Sequence, residues 1–198
     1  MNSALTDFER PITLLALTSV ASTMKTDAAT NKTLFDFQAA TNSPAWEVVN
    51  DDVMSGVSTG QFEVLTSGCA VFSGTVRLEN NGGFASVRSA PVRENLAGLA
   101  AFVVRVRGDG RRYKLSVRTS ANFDTPLYQC SFTTKPGEWE EPRLAFSDFV
   151  PTFRGRVLTD VPPLNPAKVN SVGFLISDKQ AGPFRLEIGW IIVSSARL

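Results

Sequence analysis

Three polar stretches hold the residues of this chain best suited to chemistry. Asn50, Asp51 and Asp52 lead into Met54-Ser55-Gly56-Val57-Ser58; Asn80-Asn81-Gly82-Gly83 leads into Phe84-Ala85-Ser86-Val87-Arg88; and Ser177-Asp178-Lys179-Gln180-Ala181-Gly182-Pro183 separates two apolar runs. Glycoside hydrolysis needs two carboxyl groups facing one bond. Asp51 and Asp52 are sequence neighbours, however, and neighbours on an extended strand point to opposite faces. Each is therefore expected to act singly, and a second acid such as Asp109 or Asp178 would have to be brought in by folding. No enzyme is expected.

The same side chains suit recognition better than reaction. Carboxylate and amide groups with an arginine can meet sugar hydroxyls, and an aromatic ring can meet the apolar sugar face. Trp46, Asn50, Asp51, Asp52, Asn81, Arg88 and Asp178 make up that candidate ligand set. Two structural readings stand beside it. The acids and hydroxyls of the Asp51–Ser58 turn would tie down backbone N–H groups, or Asp52 and Arg88 would form a buried ion pair joining two turns. Asn50, Asp51 and Asp52 also carry oxygens of the kind calcium takes, but no EF-hand spacing is present and no metal is expected.

Composition narrows the chemistry further. There is no histidine, which removes the commonest general base, the Ser-His and Cys-His nucleophile pairs and the commonest transition-metal ligand. Cys69 and Cys130 lie far apart in sequence, outside any zinc-like spacing, and are expected to be two separate buried thiols. No cofactor is expected. Twenty Lys and Arg against nineteen Asp and Glu leave a net charge of +1, so no global field draws the chain to nucleic acid or an anionic membrane. Nucleic acid is not an expected partner, and contact with a membrane is peripheral at most.

The elements that must position these residues read as strands. Fourteen Phe and abundant Val, Thr and Ser favour a β core. Alternating or apolar runs near Leu34–Phe37, Glu47–Val49, Gly60–Leu65, Ala70–Val76, Phe84–Arg88, Ala101–Arg107, Tyr113–Arg118, Tyr128–Thr133, Glu140–Ala145, Val169–Ile176 and Phe184–Val193 are divided by turn signals at short spacing, which argues for a sandwich or barrel. Gly108-Asp109-Gly110 reads as a tight hairpin. The only short helical candidate is Leu164–Asn170. Trp139 and Trp190 fall within apolar strand patterns and are expected in the core. From Phe146 to Pro166 the pattern loosens into a long loop, the kind that is usually functional. Phe149, Phe153, Arg154, Arg156 and, in the last turn, Lys179 are the candidate partner-binding residues, since exposed aromatics and arginines make good interface anchors.

Residues 1–32 differ from the rest and are expected to be a tail, disordered or targeting, ahead of one domain over 33–198. The run Pro11–Ser22 is apolar, with small residues following, but Asp7 and Glu9 precede it where an export signal carries positive charge. The expectation is cytoplasmic, with an exported or organellar location as the alternative if residues 1–30 are a targeting segment.

Seven stretches in order carry a resemblance: WEVVNDDVMSGVS (46–58), FSGTV (72–76), NNGGFASVR (80–88), GDGRRY (108–113), the pair Trp139 and Phe146, DFVPTFRG (148–155) and GFLISDKQAGPF (173–184). Together they span about residues 34–193, and in them the chain resembles the complex I intermediate-associated protein 30 family. One departure is visible, Ser55 at the second residue of that family's Met-Gly-Gly turn. The resemblance implies an all-β, antiparallel jelly-roll sandwich like galactose-binding domains. It also implies a non-catalytic scaffold that binds another protein, such as a subunit or assembly factor of respiratory complex I. A module for a sugar or small polar ligand is the alternative.

Overall fold

The computed structural model describes residues 30–38, 45–51 and 55–195. Fourteen strands among them form two antiparallel sheets packed face to face. The first sheet holds β1 (Asn31–Asp36), β3 (Thr59–Leu65), β4 (Cys69–Val76), β6 (Ala101–Arg107), β9 (Trp139–Glu140), β10 (Arg143–Ala145) and β14 (Gly182–Ser194). Its order is β10-β6-β14-β4-β3, with β1 on β14 and β9 on β6. The second holds β2 (Trp46–Asn50), β5 (Ala85–Ser89), β7 (Arg112–Arg118), β8 (Leu127–Thr133), β11 (Val150–Phe153), β12 (Arg156–Val157) and β13 (Ser171–Ile176), ordered β12-β11-β8-β7-β13-β5-β2. This is the expected all-β jelly-roll type of sandwich.

The alternation of each strand decides what lies between the sheets. Phe72, Phe102, Val104, Val106, Leu186, Ile188 and Ile191 from one sheet meet Val87, Tyr113, Leu115, Val117, Phe174 and Ile176 from the other, all at most 1% exposed. Trp46 closes one side of this core, stacked on Phe62 at 4.8 Å and edge-on to Phe35 at 5.1 Å. Its contribution is hydrophobic area with a preferred aromatic geometry. Cys69 and Cys130 are free, buried, and on different sheets.

Several local expectations differ from the structure. Gly108–Arg111 is no hairpin, because β6 and β7 belong to different sheets and the segment crosses between them. An added Cβ at Gly108 would come 2.3 Å from Thr134 Oγ1, so the glycine lets the crossover pass close to its neighbour. Trp139 is not core: it is 36% exposed, with the guanidinium groups of Arg105 and Arg107 at 5.2 and 5.1 Å from its ring. The loose region after Phe146 contains the β11–β12 hairpin, with Thr152 opposite Val157 and Phe153 opposite Arg156. The helical candidate becomes a single 3-10 turn, Pro166–Lys168, capped by the Asn165 side chain. Residues 1–29, on which the tail and targeting expectations rest, lie outside the described residues.

Candidate functional site

β2 ends at Asn50, and Asp51 follows as the sheet gives way to the first polar turn. Its carboxylate, fully buried, gathers donors from two turns. The Ser58 N–H donates to Oδ1 at 2.9 Å and the Ser58 hydroxyl to Oδ2 at 2.6 Å. The Gly83 and Phe84 N–H groups donate to Oδ2 at 2.7 and 3.3 Å. The Ser58 hydroxyl in turn accepts from the Arg77 N–H at 3.0 Å, and Asn80 Nδ2 donates to the Ser55 carbonyl at 3.0 Å. Burial by itself would raise the Asp51 pKa, but the Ser58 hydroxyl and the three backbone amides outweigh it and hold the carboxyl below its ordinary range. Asp51 is thus a knot between the two glycine-bearing turns, with its oxygens spent on protein donors.

The remaining candidates stand in other surroundings. Arg88 points outward from β5 and pairs with Glu47, the residue opposite it on β2, at 2.8 and 3.1 Å. Its guanidinium also lies 4.1 Å from the centroid of the Phe123 ring. Asp52 lies outside the described residues, so the proposed Asp52–Arg88 link does too. Asn50 Oδ1 is buried without a hydrogen-bond partner among the described residues. Asn81 is exposed, in a left-handed conformation beside the Asp51 knot. Asp178 is held by Lys114 at 2.7 Å and Arg112 at 2.9 Å. Burial opposes, but the bonds and charges of Lys114, Ser177 and Arg112 lower its pKa. Among the described candidates, Trp46 and Arg88 share a groove of ≈ 320 Å³ that Phe123 and Arg118 also line, and the others do not line it.

The partner-binding candidates separate as well. Phe149 is 4% exposed and packs on Phe102 at 5.7 Å, so it anchors the segment to the core. Phe153 is half-buried under the Arg154 guanidinium. Arg154 (φ 48°) and Arg156 flank the tip of the β11–β12 hairpin and are exposed. The only ion pair of Arg154 among the described residues is a loose 3.9 Å contact with Asp124. Lys179 is exposed in the β13–β14 turn, next in sequence to Asp178, which pairs with Arg112 at the start of β7, whereas the hairpin adjoins the loop at the far end of that strand. Glu47, Arg118 and Phe123 were not singled out from sequence. The alternation of Arg112, Lys114, Ser116 and Arg118 along β7 was the available signal for Arg118.

With this geometry in hand, the protein-family comparison is decisive: the model of complex I intermediate-associated protein 30 matches residues 35–188. The chain belongs to that family. It is similar to complex I intermediate-associated protein 30, mitochondrial, of Drosophila melanogaster, 29% identical over 180 residues, covering 80% of this chain and 61% of that protein. It is 39% identical over 92 residues to the Mus musculus protein of the same description, covering 44% of this chain and 28% of that one. The chain thus spans less than two thirds of the length of these relatives. The expectation of a cytoplasmic location is corrected here, because the curated relatives it matches are mitochondrial proteins.

Among solved structures, the family 11 carbohydrate-binding module from Clostridium thermocellum, in complex with a β-1,3-1,4-mixed-linked tetrasaccharide, superposes with a TM-score of 0.60 at 14% identity, covering 82% of this chain and 94% of that one. A family 29 carbohydrate-binding module gives 0.52 at 12%, covering 85% and 87%. At such identities the likeness is one of fold, and the complex I intermediate-associated protein 30 domain shares that architecture.

Proposed function

We propose that this chain is a non-catalytic scaffold that binds a protein partner, an intermediate of respiratory complex I, in a mitochondrial setting like that of its relatives. The family match across residues 35–188 carries the reading. The β11–β12 hairpin supplies a surface for it. Arg154, with a 73% exposed side chain, and Arg156 project from a short ladder that the buried Phe149 ties to the core. A guanidinium held on an ordered hairpin loses less freedom on binding than one on a loose tail. The sugar-binding alternative is less well supported, since the Asp51 carboxylate is fully engaged by four protein donors.

The test is affinity capture from mitochondria of the native host with tagged full chain as bait. Wild type is expected to recover complex I subunits or assembly factors. The Arg154→Glu, Arg156→Glu double variant should lose them while its Tm stays near wild type, because neither side chain is buried. Capture that survives the double variant would remove the hairpin from the reading; recovery of nothing above background by wild type would remove the reading itself.

A further inference from the structure

β13 carries only small residues on the outer face of its sheet where it runs between β5 and the end of β7. Gly173 lies opposite Arg88, and Ser171 lies opposite Arg118. On β13 itself, nothing larger than a hydroxymethyl group therefore separates the two arginines. Phe123, from the β7–β8 loop, covers both, at 4.1 Å from the Arg88 guanidinium and 4.9 Å from that of Arg118, and the residue remains 55% exposed. The groove of ≈ 320 Å³ opens here.

The two cations are provided for unequally. Arg88 has the Glu47 carboxylate. Arg118 has no hydrogen bond from its guanidinium and no carboxylate among the described residues, and its Nη1 is buried without an acceptor. Trp46 Nε1, a second buried donor without a partner among the described residues, belongs to a residue of the same groove. A guanidinium stays charged, so a desolvated N–H without an acceptor is a standing cost; Nη1 itself is closed to solvent, and an incoming oxyanion would compensate the guanidinium charge from the groove that Arg118 lines. Burial and the neighbouring Arg88 charge both lower the Arg118 pKa, as expected for a cation that lacks its anion.

We propose that this groove binds a carboxylate, with Arg118 as the seat for an aspartate or glutamate side chain on an acidic segment of a partner protein. The charge balance selects the anion. Two guanidinium groups and one carboxylate leave a single positive charge, which one more carboxylate neutralises. A phosphate dianion would exceed it and crowd Glu47. A planar carboxylate also matches the fork of a guanidinium, and Phe123 with Pro91 and Ala121 offers an apolar wall to the methylene stem. This inference rests on the protein-partner reading and names its contact chemistry.

The test uses full-length, 15N-labelled chain and follows the Arg118 Nε–Hε resonance by NMR. The probes are acetylated, amidated Gly-Glu-Gly, the Gly-Gln-Gly isostere, and inorganic phosphate. The glutamate peptide should give a saturable shift, with about five-fold weaker binding of the glutamine peptide, since a charge-assisted bond is roughly twice as strong as a neutral one of about 1 kcal/mol. Arg118→Met should abolish peptide-dependent shifts of the neighbouring groove amides while leaving the fold intact, because it replaces a half-buried cation that has no carboxylate among the described residues with an apolar chain. Arg118→Lys, which keeps the charge and loses the fork, should weaken binding several-fold. An equal response to the glutamine peptide, a response to phosphate in place of the peptide, or undiminished binding in either variant would overturn the proposal. Partner capture that persists in Arg118→Met would overturn it and leave the scaffold reading standing. Peptide binding with no partner captured by wild type would overturn the scaffold reading and, with it, the assignment of the carboxylate to a partner protein.

Discussion

At the scale of single residues, Asp51 ties two turns of the fold together. Its oxygens satisfy amides of two turns, so Asp51→Asn would turn half of the carboxylate into a donor facing other donors. The expected cost is about 2–4 kcal/mol, the sum of lost charge-assisted bonds and a stranded amide, read as a lower urea midpoint at pH 7. The pH dependence follows from the lowered pKa. The stabilising contribution is complete above the unfolded carboxylate value of about 4 and is lost as pH falls through the lower folded value. Wild type should therefore lose stability on acidification below about pH 4, and Asp51→Asn should show a shallower slope there. The acid-and-glycine motif was legible in sequence as either a ligand site or a backbone tie. Which of the two it is depends on amides 32 residues away, whose convergence no local pattern encodes. Likewise, Glu47 is the partner of Arg88 because the β2–β5 register sets them opposite each other, and register is a property of the folded sheet.

At the scale of elements, the first polar turn separates two demands that adjacent residues meet differently. Ser55 takes the left-handed conformation, at φ 68°, whereas Gly56 is the point of close approach, where an added Cβ would come 2.2 Å from Asp51 Cγ. Ser55→Gly should leave stability within about 1 kcal/mol of wild type, relief of the left-handed strain offsetting the entropy of glycine. Gly56→Ala should cost about 1–3 kcal/mol or more by forcing the buried carboxylate aside. Differential scanning calorimetry of the two variants checks the contrast. Serine at the second position of the turn is thus accommodated, since close packing is required one residue later. Most strands were legible because their alternation is clean and their ends carry turn residues. The β11–β12 hairpin was not, because Pro151 and Gly155 read as breakers. β12 pairs only with Thr152 and Phe153, so the missing N–H of Pro151 costs that ladder little.

At the scale of the whole molecule, the sandwich is held by packing without a crosslink between its sheets. Cys69 and Cys130 are free on opposite sheets, and burial, with a smaller effect from Asp148, raises the Cys130 thiol pKa to about 11. Tm should be the same with and without dithiothreitol, and N-ethylmaleimide should modify Cys130 slowly at pH 7 until urea opens the core. A reductant-dependent Tm, or rapid labelling of the native chain, would contradict this. The architecture was legible from seven motifs in order. The cellular compartment was not, because composition and net charge describe solubility and binding and carry no address.

The pairing of β1 with β14 has a further consequence. Thr30 and Ser195 bond to each other in both directions, the Thr30 N–H to Ser195 Oγ at 2.9 Å and the Ser195 N–H to the Thr30 carbonyl at 3.0 Å. Sequence attached before the one and after the other leaves from a single spot on the sandwich. Such a domain can be spliced into a host polypeptide as one continuous insert, and its ends can be joined by a short linker and the chain reopened elsewhere by circular permutation, without any connection having to cross the body of the fold.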